Sequence, residues 1–322
     1  MDTRTITRAL AIAALTLCAH RASASCGAAT CTLMSDRYTL DSGTGRSGFS
    51  LDLRFEFVDQ DRLRTGTRKA RPEDIAGEEA LERRTRQRGV IASIDYGFDA
   101  DWSLQVRLPL LQREHLHAPI DEDTGEVSGE ERWRFTAPGD TQLTLRRRFS
   151  PEGGDTVFAV YAGLKLPTGS RHEENSDGAR AERSLQPGTG TTDIVAGVAA
   201  RRSIALHDVV FAQAGVTRAL SGVDGFEPGK QYGAGVGWSH AFGPHLGSVL
   251  QLNLQHRGRD AGHASEPEVS GGTTVDLSPG LTWSPRPGST VYAYVQLPLL
   301  HDVNGTQLVR SRTLALGWSL DF

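Results

Sequence analysis

From Ser47 to Phe322 the chain alternates large apolar with polar side chains, and this period of two marks strands rather than helices. In FSLDLRFEF, Phe49, Leu51, Leu53, Phe55 and Phe57 share one face, while Ser50, Asp52, Arg54 and Glu56 share the other. WSLQVRLPLL repeats the device, with Trp102, Leu104, Val106, Leu108 and Leu110 opposite Ser103, Gln105 and Arg107. Further runs around 85–96, 139–149, 156–166, 190–201, 207–218, 230–242, 246–257, 273–284, 289–300 and 310–322 bring the total to about twelve. Strands of soluble sheets usually have about 5–6 residues, whereas a tilted strand that crosses a bilayer needs about 9–11. These runs are long enough to cross.

The links between them sort by length. Short ones fall at 97–101, 150–155, 201–208, 242–245 and 284–289, and longer polar ones near 59–84, 113–138, 167–189, 219–229, 258–272 and 301–309. Strict alternation of short and long links is expected of an up-and-down barrel with short periplasmic turns and longer extracellular loops. A soluble secreted sandwich shares the in/out alternation of polarity but has no reason to sort its links by parity. Aromatics decide in favour of the membrane, because Phe98, Trp102, Phe149, Phe242, Trp283 and Phe322 all sit at short-turn ends, where a membrane barrel carries its aromatic girdle. The expected fold is therefore all-β, a transmembrane antiparallel barrel of about twelve strands. Its last strand turns Leu314, Leu316, Trp318, Leu320 and Phe322 to lipid and closes against the first.

The N-terminal stretch changes the picture. Arg4 and Arg8 precede an apolar run from Ala9 to Ala19 and then Ala22-Ser23-Ala24, so residues 1–24 read as a secretory signal with Ser25 as the mature N-terminus. A lipid on Cys18 is the alternative, disfavoured by Leu17 before it. Residues 25–46 form an N-terminal periplasmic or plug segment in which Cys26 and Cys31 are expected to pair as a disulfide; thiol chemistry or metal binding by the two is the alternative. Residues 47–322 are the barrel. A net charge of −4 and a pI near 6.2 supply no positive field for nucleic acid.

Beyond these patterns, LDLRFEFVDQDRLRTGTR, DYGFDADWSLQVRLPLL, GLKLPTG, LQPGTGTTD and LSPGLTW resemble a family of outer-membrane transporter barrels related to the phenol-degradation meta-pathway outer-membrane proteins. The resemblance covers nearly the whole mature chain. It implies the outer membrane of a Gram-negative bacterium, contact with its lipid, and a terminal Phe322 read by the barrel assembly machinery. It brings no catalytic motif.

About twelve strands leave a narrow lumen. Its expected lining is uneven: Asp52, Arg54, Glu56, Asp95, Arg107, Arg146, Arg148 and Lys165 point inward from the first five strands, whereas later strands offer Gly197, Gly233, Gly235, Gly237 and Gly280. The charges either pair in ladders that stiffen the wall or form a constriction for polar or anionic solutes. The glycines leave room for a solute or for residues 25–46 as a plug. In REHLHAPIDEDTGE, His115, His117, Asp121, Glu122 and Asp123 are candidates for a metal site, as are His172, Glu173 and Glu174 in RHEEN, against the alternative of ordinary solvated loops.

Catalysis is not expected. Ser239 and His240 are consecutive on a strand and face opposite sides, and LQPGTGTTD lacks the lysine and helix of a phosphate loop. No cofactor is expected either. The function expected from sequence is a monomeric, passive channel for small polar or aromatic molecules; the alternative is a non-conducting barrel with a binding or structural role.

Overall fold

The computed structural model describes residues 47–74, 80–121, 127, 129–151 and 155–322. The signal segment 1–24, the segment 25–46 with Cys26 and Cys31, and Glu122 and Asp123 lie outside the described residues.

One antiparallel sheet holds every strand: β1 (Gly48–Gly66), β2 (Arg68–Lys69), β3 (Ala80–Gly97), β4 (Trp102–Pro119), β5 (Glu131–Pro138), β6 (Thr141–Phe149), β7 (Thr156–Leu166), β8 (Asp193–Ala205), β9 (Asp208–Ala219), β10 (Gln231–Ala241), β11 (Leu246–Arg257), β12 (Gly272–Arg286) and β13 (Ser289–Asp321). Each strand pairs with its sequence neighbour and β13 pairs with β1, so the sheet closes; β2 and β5 lie off the ring. The ring has eleven elements, yet the wall has twelve passes. β13 is a hairpin, because residues 289–303 pair with β12 whereas 303–321 pair with β1. Its two arms face each other: the Asp321 amide donates to Gly288 O at 2.8 Å, and Gly317 lies under the Tyr292 ring. Twelve passes agree with the expected number. One link departs from expectation, since the 301–309 segment is a tight turn around Asn304 and Gly305 (φ +58°) rather than a long loop. Asn-Gly between strand arms favours such a turn.

Closure satisfies the backbone without water, as a bilayer requires, and the side chains obey the same logic. Phe55, Leu53, Leu250, Leu252, Leu316 and Trp318 are each at least 38 % exposed, although all lie within regular strands. Their neighbours on the other face, Arg54, Glu56, Gln251 and Asn253, are buried. The barrel is thus apolar outside and polar inside. Phe98, Trp102, Phe149, Phe242, Trp283 and Phe322 ring the short-turn end with 38–79 % exposure, a girdle at headgroup height. A bilayer is the medium in which that surface is stable. At the same end Asp99 accepts hydrogen bonds from the amides of Trp102 and Asp101, which hold its carboxyl below the usual range.

The wall is not level. β1, β3 and β4 have 19, 18 and 18 residues, whereas β7 and β10 have 11. At a rise of about 2.6 Å of height per residue for a strand tilted about 40°, β4 climbs about 47 Å, against about 25 Å for the apolar band. The upper part of this tall wall therefore stands clear of lipid. It takes in 113–119 and, through β5, 131–138, residues that sequence pattern alone assigns to a loop. β5 and β6 are two halves of one pass, both paired with β4 and offset by one residue across Gly139 and Asp140.

Candidate functional site

The inside of the barrel is where side chains of chemical interest converge. Of the eight charges expected on the inner face, Arg54, Glu56, Asp95 and Arg146 are buried and Asp52, Arg107, Arg148 and Lys165 half-buried, and several pair. Arg54 Nε lies 2.8 Å from Glu56 Oε1. Asp52 accepts from Tyr292 OH at 2.9 Å and from Ser319 Oγ. Asp95 accepts from Gln105 Nε2 at 3.2 Å, and Lys165 Nζ lies 2.7 Å from Asp140 and 3.0 Å from Asp193. Arg107 and Arg146 stand in register with Ser93 and Ser103, and Arg148 with Ala159. Pairing along the wall is what a buried charge requires.

The glycine-rich side holds rings rather than open space. Tyr161 lies over Gly197 and Gly215, Phe211 over Gly237, Tyr294 over Gly280 and Tyr292 over Gly317; a Cβ built on any of these glycines would come within 2.1–2.5 Å of the ring. Each ring is flattened against the neighbouring strand because nothing projects from the glycine beneath it. Rings and charged groups adjoin on this inner face, as Tyr292 does with Asp52.

Two cavities are lined by the described residues of the interior. The larger, about 460 Å³, opens among the short turns and is lined by Arg201, Ser203, His207, Ser239, Tyr292 and Tyr294. The smaller, about 90 Å³, lies toward the long loops between Gln60, Gln255, Arg257, His301, Gln307 and Arg310. Between them Gln251, Asn253, Asp276, Ser278, Gln296 and Thr313 are fully buried. Asn253 Nδ2 donates to Ser278 Oγ at 2.9 Å, and Arg310 clasps Asp276. Both polar atoms of the Gln251 side chain, Asn253 Oδ1 and Thr313 Oγ1 make no hydrogen bond to the protein.

Residues 167–192 fold inward across the outer mouth. Ala181 and Leu185 bury against Trp133 and Phe135 on the inner face of the tall wall. Trp133 Nε1 donates to Ala179 O at 3.0 Å, and Arg113 bonds Leu185 O. Asp140, at the bulge, tethers the segment by accepting from Gly169 N (3.0 Å), Thr189 N (2.9 Å) and Thr189 Oγ1 (2.9 Å) besides Lys165. The far side continues through Arg171–Asp224 at 2.5 Å and the Arg183 guanidinium over the Phe226 ring to the 220–230 loop. Gly229 N and Asp260 carry the link onward to the 258–271 loop. Three outer loops thus form one connected cover.

His115 and His117 are brought together, but on β4 and pointing inward rather than on an outer loop. Their companion is Glu82 of β3. Asp121 sits exposed beyond the strand. His172 is exposed; Glu173 bonds Ser170 and Gln186, and Glu174 pairs with Arg180 through a backbone bridge, all within the inward segment. Sequence alone misses Glu82 and Asp140, since each depends on a neighbour far along the chain.

No family profile matches the sequence, and no curated protein matches it. Solved structures do. The crystal structure of an outer-membrane channel from Pseudomonas putida F1 superposes with a TM-score of 0.62 at 12% identity, over 86% of this chain and 96% of that one. A deletion mutant of the TodX monoaromatic hydrocarbon channel superposes at 0.46, with 10% identity over 93% and 96% of the two chains. A Pseudomonas aeruginosa FadL homologue does so at 0.43, with 8% identity over 85% and 90%. The first of these carries the fold: the chain is similar to an outer-membrane channel barrel along nearly its full described length.

Proposed function

We propose that this chain is a passive outer-membrane channel for small polar or aromatic molecules. One observation carries the reading: a polar interior runs the length of a lipid-facing cylinder, with a cavity at each end and uncommitted polar groups of Gln251, Asn253 and Thr313 between them. Passage through a narrow pore needs partners that exchange with the solute's hydration and then release it. The charged groups suit polar solutes and the rings of Tyr161, Phe211, Tyr292 and Tyr294 suit aromatic ones. The sequence resemblance to transporter barrels of the phenol-degradation meta-pathway kind and the likeness to a channel fold support the same reading.

A second reading, a non-conducting barrel that binds or braces, is favoured by the fully buried central layer and the connected outer loops. Recording from purified protein in planar bilayers separates the two. Discrete conductance steps are expected of the channel. Silence from protein shown to be folded and inserted would remove that reading.

A further inference from the structure

Above the lipid belt, inside the tall wall, the structure gathers donors that the channel does not use. We infer that Glu82, His115 and His117 form a binding site for one divalent transition cation of borderline softness, Zn²⁺ or Cu²⁺.

The site comes from an irregularity in the sheet. Pairing of β3 with β4 matches Thr85 to His115, so an unbroken ladder would set Arg83 opposite His117; a shift between Glu82 and Arg84 sets Glu82 there instead. Arg83 is consequently exposed and Glu82 buried on the inner face. A bulge that re-aims a side chain is a recurrent feature of functional sites, and this one replaces a cation with a carboxylate between two imidazoles. One ligand atom from each of the three residues falls within 4.8 Å of the others. Ligands about 2.0–2.1 Å from a tetrahedral Zn²⁺ lie about 3.4 Å apart, a contraction within reach of side-chain rotation.

His115 makes the case more than an acidic cluster would. It is fully buried, its Nδ1 lies 2.8 Å from Thr85 Oγ1, and its Nε2 lies 3.4 Å from Glu82 Oε2 without making a hydrogen bond to any group. With Nδ1 engaged by Thr85, the Nε2 lone pair is aimed at the cluster, the arrangement by which an outer partner orients a ligating imidazole. Glu131 lies 3.0 Å from His117 Nε2. Trp133 packs against both rings, at 5.8 Å and 4.6 Å between centroids, and shields them from water. Two imidazoles and one carboxylate suit Zn²⁺ or Cu²⁺ rather than Ca²⁺ or Mg²⁺, which prefer oxygen alone.

The test is calorimetric titration of tag-free full-length protein in detergent with ZnCl₂ and, separately, CaCl₂, together with the visible spectrum of the Co²⁺-loaded protein. One equivalent of Zn²⁺ is expected, with no heat from Ca²⁺ and a tetrahedral Co²⁺ spectrum. Glu82→Gln and His117→Gln should each abolish saturable binding, and Thr85→Val should weaken it about 10–100-fold, as loss of an outer partner does. Heat-modifiable electrophoretic mobility confirms that each variant remains a closed barrel. No saturable Zn²⁺ binding by the parent, or unchanged affinity in folded Glu82→Gln and His117→Gln, overturns the site. Neither result touches the channel reading, which stands on conductance.

Discussion

Leu252 tests the barrel most sharply, because its replacement by arginine should have opposite effects in the two media that an exposed apolar face could meet. The residue lies on β11 with 41% exposure, paired with Val236 and Leu277. Leu246, paired with Trp283 of the girdle, marks the edge of the apolar band. With about 2.6 Å of height per residue and a band about 25 Å tall, the midplane falls about five residues further on, between Leu250 and Leu252. Arginine on the lipid face costs about 2–4 kcal/mol at the midplane and about 0–1 near the interface. Leu252→Arg should therefore lower the folding equilibrium constant about 30- to 900-fold, and Leu246→Arg by less than about 6-fold. Equilibrium unfolding in guanidinium chloride from phospholipid vesicles measures both. On a soluble protein an exposed Leu→Arg change would be nearly neutral and would aid solubility. A Leu252→Arg barrel as stable as its parent, or two variants of equal cost, would refute the placement of this face in hydrocarbon.

Three further outcomes follow from the lumen. Gly280→Ala puts a Cβ within 2.3 Å of the Tyr294 ring, so the ring should swing into the lumen and single-channel conductance fall, with the effect vanishing in a Tyr294→Ala background; persistence there would deny the ring its part. Arg54→Ala leaves Glu56 without its 2.8 Å partner and should shift the reversal potential in a salt gradient toward cation preference, whereas an unchanged potential would place the selective region elsewhere. Asp140→Asn weakens the tether of residues 167–192 while Asp193 still holds Lys165; a loss of about 1–3 kcal/mol, faster proteolysis within 167–192 and larger conductance steps are expected, and wild-type behaviour in all three would show that Asp140 does not hold that segment.

Much of this architecture is written in strand parity. Phe49 to Phe57 and Trp102 to Leu110 announce their lipid faces because nothing but hydrocarbon or a core accepts every second large side chain. Sorting of links by length then chooses the barrel over the sandwich. Where the pattern runs out, the cause is physical. Residues 113–119 and 131–138 read as loop because strands that rise beyond the bilayer lose the apolar half of their alternation; Arg132 and Arg134 face water, not lipid. Gly139 conceals that β5 and β6 are one pass. The inner glycines read as room, but Gly317 lies beneath Tyr292 through hairpin register, and Gly280 beneath Tyr294 through pairing of separate strands. Glu82 is 33 positions from His115 and reaches it only because the ladder slips at Arg83; periodicity carries no sign of such a slip.

The central claim is that successive residues of one strand meet hydrocarbon and an aqueous interior in turn. Single nitroxide labels at each position from 247 to 255, in protein reconstituted into phospholipid bilayers, test it directly through collision with oxygen and with a water-soluble nickel chelate. Labels at Ser248, Leu250, Leu252 and Leu254 should favour oxygen, and those at Gly247, Val249, Gln251, Asn253 and Gln255 should not, giving a period of two along β11. Equal accessibility of both sets, or protein that remains monodisperse in plain buffer, would contradict the account.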